Sequence, residues 1–318
     1  MMRYKPYLLT GLGFIIGSLI LVGVLGTGLS FAGTSNSSSL NANVNVGYAV
    51  YISIPSNTAT FGNVYPGTPY NTNVPIAVQD DGGNLAANIL VSGADWTGPG
   101  TNTIGVGNTL YSATSLASYN GIALSGTLAN SLSTIAQPTI GSNSPSNSVY
   151  FGVEIPAGTA AGLYTQTLTF ENDNFSNTIT SNTATATLTA NVQGVCYISL
   201  SPSSIAFGSI APNANVPTNV LVTDTDTNGN AAANVLVEGT GWSGTTPFGV
   251  GNTLYDASPQ ATYTGNALTN SLTLTGITIS APSLASPSTN SLIYFGLGIP
   301  AGTAAGAYTQ TITLENSC

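Results

Sequence analysis

The chain has 318 residues, 42% of them apolar, which is enough for one large or two ordinary packed domains. Only 4% are charged, the sole basic residues are Arg3 and Lys5, and there is no histidine. Beyond residue 5 nothing can grip phosphate or an anionic membrane, so a nucleic-acid partner and a polybasic membrane patch are excluded.

Beyond residue 5 the same composition leaves catalysis without His, Lys or Arg as base or electrophile. No enzyme activity, cofactor or small-molecule substrate is expected. In strong acid, carboxylates protonate and a chain without bases stays nearly neutral, so an acidic exterior suits it.

The N-terminus reads “MMRYKPY”, a short basic segment, then an apolar, uncharged run from Leu8 to about Leu29, then “SFA”. Small residues at Ser30 and Ala32 after such a run predict a signal peptide over residues 1–32, cleaved after Ala32. About 20 apolar residues also span a bilayer, so an uncleaved anchoring helix is the rival reading.

Residues 33–46 follow. Here Leu40, Ala42, Val44 and Val46 alternate with Ser39, Asn41, Asn43 and Asn45. That is the pattern of a strand with one small-apolar face. Gly47 interrupts it, as a glycine at a bend does.

From there the chain repeats itself. “YISIPSNTATFG” at Tyr51 returns as “YISLSPSSIAFG” at Tyr197, and “AANILVSGADWTG” at Ala86 as “AANVLVEGTGWSG” at Ala232. “GVGNTLY” at Gly105 returns at Gly249, and “YFGVEIPAGTAAGLYTQTLTFEN” at Tyr150 as “YFGLGIPAGTAAGAYTQTITLEN” at Tyr294. The offset stays between 144 and 146, giving two copies of one domain, residues 47–193 and 194–318.

Each copy has short segments rich in Val, Ile, Thr, Tyr and Phe, separated by Gly, Pro, Asn and Asp clusters. No helical period appears after the leader. The fold class is all-β: two tandem immunoglobulin-like β-sandwiches of seven or so strands each, preceded by a hydrophobic leader helix. Trp96 and Trp242 stand at matched sites and read as core residues, with a ligand platform as the alternative. “GVGNTLY” lacks the third glycine of a dinucleotide loop and reads as a turn.

Between the copies, Ala184, Ala186, Leu188, Ala190 and Val192 alternate with Thr183, Thr185, Thr187, Thr189 and Asn191. Leu188, Ala190 and Val192 match Leu40, Ala42 and Val44 residue for residue. Copy one is thus followed by an alternating segment, and copy two is not. If residues 183–192 close copy one, copy two lacks its closing strand and exposes an unpaired edge. The equivalent strand is then residues 38–46 of another molecule, inserted by β-augmentation. A head-to-tail contact that does not close into a ring builds a filament. The competing reading makes each alternating segment the first strand of its own copy, with two complete sandwiches in a monomer.

The cysteines are Cys196 and Cys318, near the start of copy two and at the last residue. In an exported chain they are expected to pair, closing a loop of 122 residues, worth about 4–5 kcal/mol in the chain-entropy model. Free thiols, or a Cys318 bonded to another subunit, are the alternatives.

“DTDTNGN” places Asp224, Asp226, Asn228 and Gly229 at the spacing of a calcium loop, but Val235 holds the place of the bidentate Glu. An Asn-Gly hairpin turn is the other reading, and no metal is expected. Glu171 and Glu315 match at one strand end and read as edge solvation. Asn36 and Asn174 begin N-x-[ST] sequons in linker-like segments and are glycosylation candidates.

An exported, charge-poor tandem sandwich with an N-terminal alternating strand resembles the subunits of archaeal threads, and more distantly bacterial type 1 chaperone–usher pilins. The resemblance implies incomplete immunoglobulin-like folds joined by donor strands, heavy glycosylation, self-assembly head to tail, and a place on the cell surface. Those major subunits usually hold one such domain, whereas this chain has two. The expected function is an extracellular structural subunit of a surface filament, partnered by itself and other pilins. The alternative is a monomeric adhesin or S-layer-associated module anchored by its N-terminal helix.

Overall fold

The computed structural model describes residues 40–140, 144–173 and 182–318. The leader, Asn36 and Asn174 lie outside them. Residues 1–46 and 47–318 separate into two units, and residues 40–46 of the first carry no strand.

The larger unit is β throughout among the described residues, apart from two 3-10 turns at Val106–Asn108 and Val250–Asn252, inside the repeated “GVGNTLY”. Copy one holds β1 (Ile52–Ser53), β2 (Thr58–Val64), β3 (Thr68–Asp80), β4 (Ala87–Gly93), β5 (Trp96–Thr97) and β6 (Thr103–Ile104). It continues with β7 (Thr109–Ser112), β8 (Ile122–Ala123), β9 (Ala129–Ile135), β10 (Ser146–Ile155), β11 (Gly162–Asp173) and β12 (Thr183–Val192). Copy two holds β13 (Ser199–Ser201), β14 (Asn215–Thr227), β15 (Ala233–Gly239), β16 (Thr253–Asp256), β17 (Asn266–Ala267), β18 (Thr273–Ile279), β19 (Ser288–Gly298) and β20 (Ile312–Ser317).

Four sheets result. Copy one has β1-β3-β10-β7-β8 and β2-β12-β11-β4-β9, with β5 beside β11 and β6 beside β5. Copy two has β13-β14-β19-β16-β17 and β18-β15-β20. Each copy is a sandwich of two mostly antiparallel sheets, the architecture that the alternating pattern predicts. The segments are more numerous than seven in copy one, because several are broken into pieces of two residues.

The strands form where period-2 alternation sets one face inward. In β12, Ala186, Leu188, Ala190 and Val192 are buried while Thr183, Thr185 and Asn191 face out. In β11, Tyr164, Gln166, Leu168, Phe170 and Asn172 are buried.

A polar chain crosses each core. The Trp96 indole N–H donates to Thr109 Oγ1 (2.8 Å), Thr109 donates to Gln166 Oε1 (2.9 Å), and Gln166 Nε2 donates to the Ala94 carbonyl (2.8 Å). Copy two repeats it through Trp242, Thr253, Gln310 and the Thr240 carbonyl, at 2.9, 2.7 and 2.6 Å. Both tryptophans therefore act as packing residues whose one donor is satisfied.

Three sequence readings need correction. The segment “DTDTNGN” is not a hairpin, because β14 and β15 belong to different sheets and the Asn228 turn carries the chain across the sandwich. Nor does it form a loop around an ion, because Asp224 and Asp226 are strand residues buried on the inner face of β14. Glu171 is not at a sheet edge, because β11 lies between β4 and β12, with Glu171 opposite Leu90 and Thr183.

Candidate functional site

The site emerges from placing the two copies side by side. In copy one, β12 runs antiparallel to β11 over ten residue pairs, from Gly162↔Val192 to Glu171↔Thr183. On its other side it runs parallel to β2, with Leu188 beside Ala59 and Val192 beside Val64. The segment between the repeats thus belongs to copy one, and it seals the gap between β2 and β11.

Copy two has counterparts of β2 and β11 but nothing between them among the described residues. The counterpart of β2, residues 204–210, forms no strand. The counterpart of β11 shrinks from twelve residues to the six of β20, paired with β15 on one side. Residues 306–311, which match the first half of β11, keep a single bridge, Thr309 to Ser243. The sequences are near-identical there, “GLYTQTLTFEN” against “GAYTQTITLEN”. Local propensity therefore does not explain the loss; the missing neighbour does.

The gap is a groove of 690 Å³ whose lining includes Ile205, Phe207, Ile210, Trp242, Leu297 and Tyr308. Among the described residues no charged side chain lines it. The core shows the same deficit. Twenty-four buried residues make one cluster in copy one, four of them from β12; nine make the cluster in copy two. Tyr164, Leu168 and Phe170 are fully buried, while their counterparts Tyr308, Ile312 and Leu314 are only partly so.

Chemically the groove can accept an extended, uncharged strand. One wall offers the unpaired backbone edge of residues 306–314, the other the backbone of residues 204–210, and the floor offers apolar side chains. It has no arrangement for acid–base or nucleophilic work, and no group of three metal-ligating side chains occurs among the described residues.

No family model matches the chain, and no curated protein matches it. Among solved structures it is similar to the chaperone–tip adhesion subunit pre-assembly complex of the archaic chaperone–usher Csu pili of Acinetobacter baumannii. Identity there is 11%, over 84% of this chain and 100% of that one, with a TM-score of 0.43. It is similar to the CupB6 tip adhesin from Pseudomonas aeruginosa, at 11% identity over 84% and 93% of the two chains and a TM-score of 0.28. A family 123 glycoside hydrolase from Clostridium perfringens aligns at 14% identity and a TM-score of 0.30, over 46% of this chain and only 27% of that one. At such identities the likeness concerns strand architecture alone.

The remaining sequence-predicted residues fall as follows. Leu40, Val44 and Val46 are exposed, at 93%, 88% and 73%, and Ala42 is exposed as well. Cys196 and Cys318 form a disulfide, Cα to Cα 6.1 Å, tying the chain just before β13 to the end of β20. Asp224 accepts from Asn316 Nδ2 (3.3 Å) and Asp226 from the Gly229 N–H (3.2 Å). Burial, with the like charge of Asp226 added, pushes the Asp224 carboxyl up to about 6. Burial raises Asp226 too.

Among the described residues, no helix is long and apolar enough to cross a membrane. Sequence reading missed the groove residues Ile205, Phe207 and Ile210. “SIAFGSI” has the apolar spacing of “TATFGNV”, but whether that spacing finds a partner strand depends on a distant part of the chain.

Proposed function

We propose that this protein is an extracellular structural subunit of a surface filament, polymerising head to tail by donor-strand complementation. Residues 38–46 of one molecule fill the groove in copy two of the next. One observation carries the reading: β12 completes copy one between β2 and β11, and in copy two the counterparts of those two neighbours flank a groove with no strand between them among the described residues.

The register follows from the match between the alternating segments. Leu188 faces Gln166, Ala190 faces Tyr164 and Val192 faces Gly162. By the repeat offset, Leu40 lies opposite Gln310, Ala42 opposite Tyr308 and Val44 opposite Gly306. Burying Leu40 and Val44 contributes about 1.5–3 kcal/mol each, beside a new ladder of backbone hydrogen bonds.

In this reading residues 1–32 are a cleaved signal peptide or an anchor, and 33–46 are the donor segment. Residues 47–193 are the complete sandwich with its linker strand, and 194–318 the incomplete one. Export and a surface location fit the leader, the disulfide and the absence of basic residues in the mature chain. Sugars on Asn36 and Asn174 fit the same setting.

Size-exclusion chromatography of the mature chain, with and without residues 33–46, tests the proposal. Polymer that disappears on deletion is the expected result. A monomer in both preparations sinks it and favours a monomeric adhesin.

A further inference from the structure

The contact that joins the two copies inside one chain is small and specific. Asn230 holds it: its Nδ2 donates to the carbonyls of Gln193 and Thr159 (2.8 Å each) and its Oδ1 accepts from the Val195 N–H (2.7 Å). Gln193 and Val195 belong to the connection, and Thr159 to the “IPAGT” loop after β10. In that loop Gly158, at φ +74°, lies so close to Ser283 that a Cβ there would run into the Ser283 backbone. Beside it, Gly67 (φ +71°) faces Asn228; a Cβ on Gly67 would sit 3.4 Å from the Asn228 Cβ.

Every one of these positions has a counterpart at an outer end of the molecule. Asn84 matches Asn230 and makes the same local clamp, donating to the Gly47 carbonyl (2.9 Å) and accepting from the Ala49 N–H (2.8 Å). Thr303 matches Thr159, and its hydroxyl donates to Pro300 as Thr159 does to Pro156. Gly302 matches Gly158, and Gly82 matches Asn228. Both Gly302 and Gly82 look onto open space within 4 Å.

The decisive detail is an exchange. The internal contact pairs Gly67 with Asn228. The counterparts are Asn213 for Gly67 and Gly82 for Asn228. All four have φ between +62° and +90°, where either Gly or Asn fits the turn. Folding of a single copy therefore does not dictate which residue stands where. A Cβ at Gly67 would already touch the Asn228 side chain at van der Waals distance, so an asparagine there must find room for its amide beyond that contact, whereas two glycines would leave a gap. Each contact instead receives one of each, in opposite order.

Resting on the donor-strand reading above, we infer that successive molecules meet through a second edition of the internal contact, Asn213 of one molecule against Gly82 of the next. Asn84 of the second molecule then donates to the Thr303 carbonyl of the first. The partner is another copy of this chain, held by a shaped joint as well as by a strand. The joint between molecules thereby has the same geometry as the joint within them, and the filament is a uniform string of sandwiches.

The test uses four forms of the mature chain in sedimentation velocity: unaltered, lacking residues 33–46, Gly82→Asn, and Gly82→Asn with Asn213→Gly. The single substitution is expected to raise the concentration needed for polymer about tenfold, through crowding at the joint. The double variant restores assembly, because it gives the outer joint the internal Gly–Asn order. Melting of each variant in the unassembled form stays unchanged, since both residues suit a left-handed turn. Assembly unaffected by Gly82→Asn, but lost on deletion of 33–46, overturns the joint and leaves strand donation standing. Assembly sensitive to Gly82→Asn and rescued by the double variant, yet intact after deletion, keeps the joint and overturns strand donation. Polymer indifferent to all three changes overturns both.

Discussion

Asp224 stands in copy two where copy one has Val78. Both side chains are fully buried, one a carboxyl and the other an isopropyl group. The Asp224 carboxyl keeps one partner, Asn316 Nδ2, and its second oxygen has none among the described residues.

Such a carboxyl is easier to bury protonated. Burial first, and Asp226 last, raise its pKa to about 6, against a hydrogen bond from Asn316 that lowers it. A folded-state pKa above the unfolded value near 3.9 gives stability that is fully present below about pH 4. That stability is lost as the pH climbs through 6. Copy two is expected to melt several degrees higher at pH 4 than at pH 7. Asp224→Val should flatten that difference, and calorimetry across the range reads it. An unchanged slope in the variant would refute the assignment.

Leu132 is 67% exposed and sits at φ +62°, in a bulge of β9 that copy two builds with Gly276 at φ +76°. A left-handed leucine costs about 1–2 kcal/mol, and a glycine there gives back part of that as unfolded-state freedom. Leu132→Gly should therefore stabilise copy one by about 0.5–1 kcal/mol. The reverse change, Gly276→Leu, should destabilise copy two. Denaturant titration of each variant measures both.

Thr109 relays the hydrogen bonds between Trp96 and Gln166 in a fully buried position. Thr109→Val keeps the shape but orphans one donor and one acceptor, which should cost about 2 kcal/mol or more. The matching change, Thr253→Val, should cost less, because Gln310 is partly exposed and water can reach it. Urea unfolding of the two variants would reveal the asymmetry, and equal losses would contradict it.

The bond between Cys196 and Cys318 closes a loop of 122 residues. Reduction, or Cys318→Ser, should lower the stability of copy two by about 4–5 kcal/mol in the loop-entropy account. Copy one should be untouched. Differential scanning calorimetry with and without a reductant distinguishes the two transitions.

Much of the fold was legible in the residues. The offset repeats set out two copies, and the alternation of Leu188, Ala190 and Val192 against Thr187, Thr189 and Asn191 marked β12 as a two-faced strand. The disulfide followed from two cysteines in a chain whose leader sequence predicts export. Less legible were the features that depend on which strands become neighbours. Asn228-Gly229 carries ordinary hairpin chemistry, yet joins two different sheets, because a turn is local and a sheet is not. Ile205 and Phe207 carry the spacing of a strand without forming one. Likewise the “DTDTNGN” spacing marks Asp224 as no more than a weak calcium candidate, and only the inward face of β14 shows it buried.

The two core clusters have a kinetic corollary. Amide protons of β4, β11 and β12 lie under twenty-four buried residues, and those of β15 and β20 over nine. Exchange with deuterium should proceed by local openings that cost far less free energy in the second group. One polypeptide, nearly the same words written twice, will then show two clocks: a slow one where the lattice of strands is shut and a quick one where it is ajar.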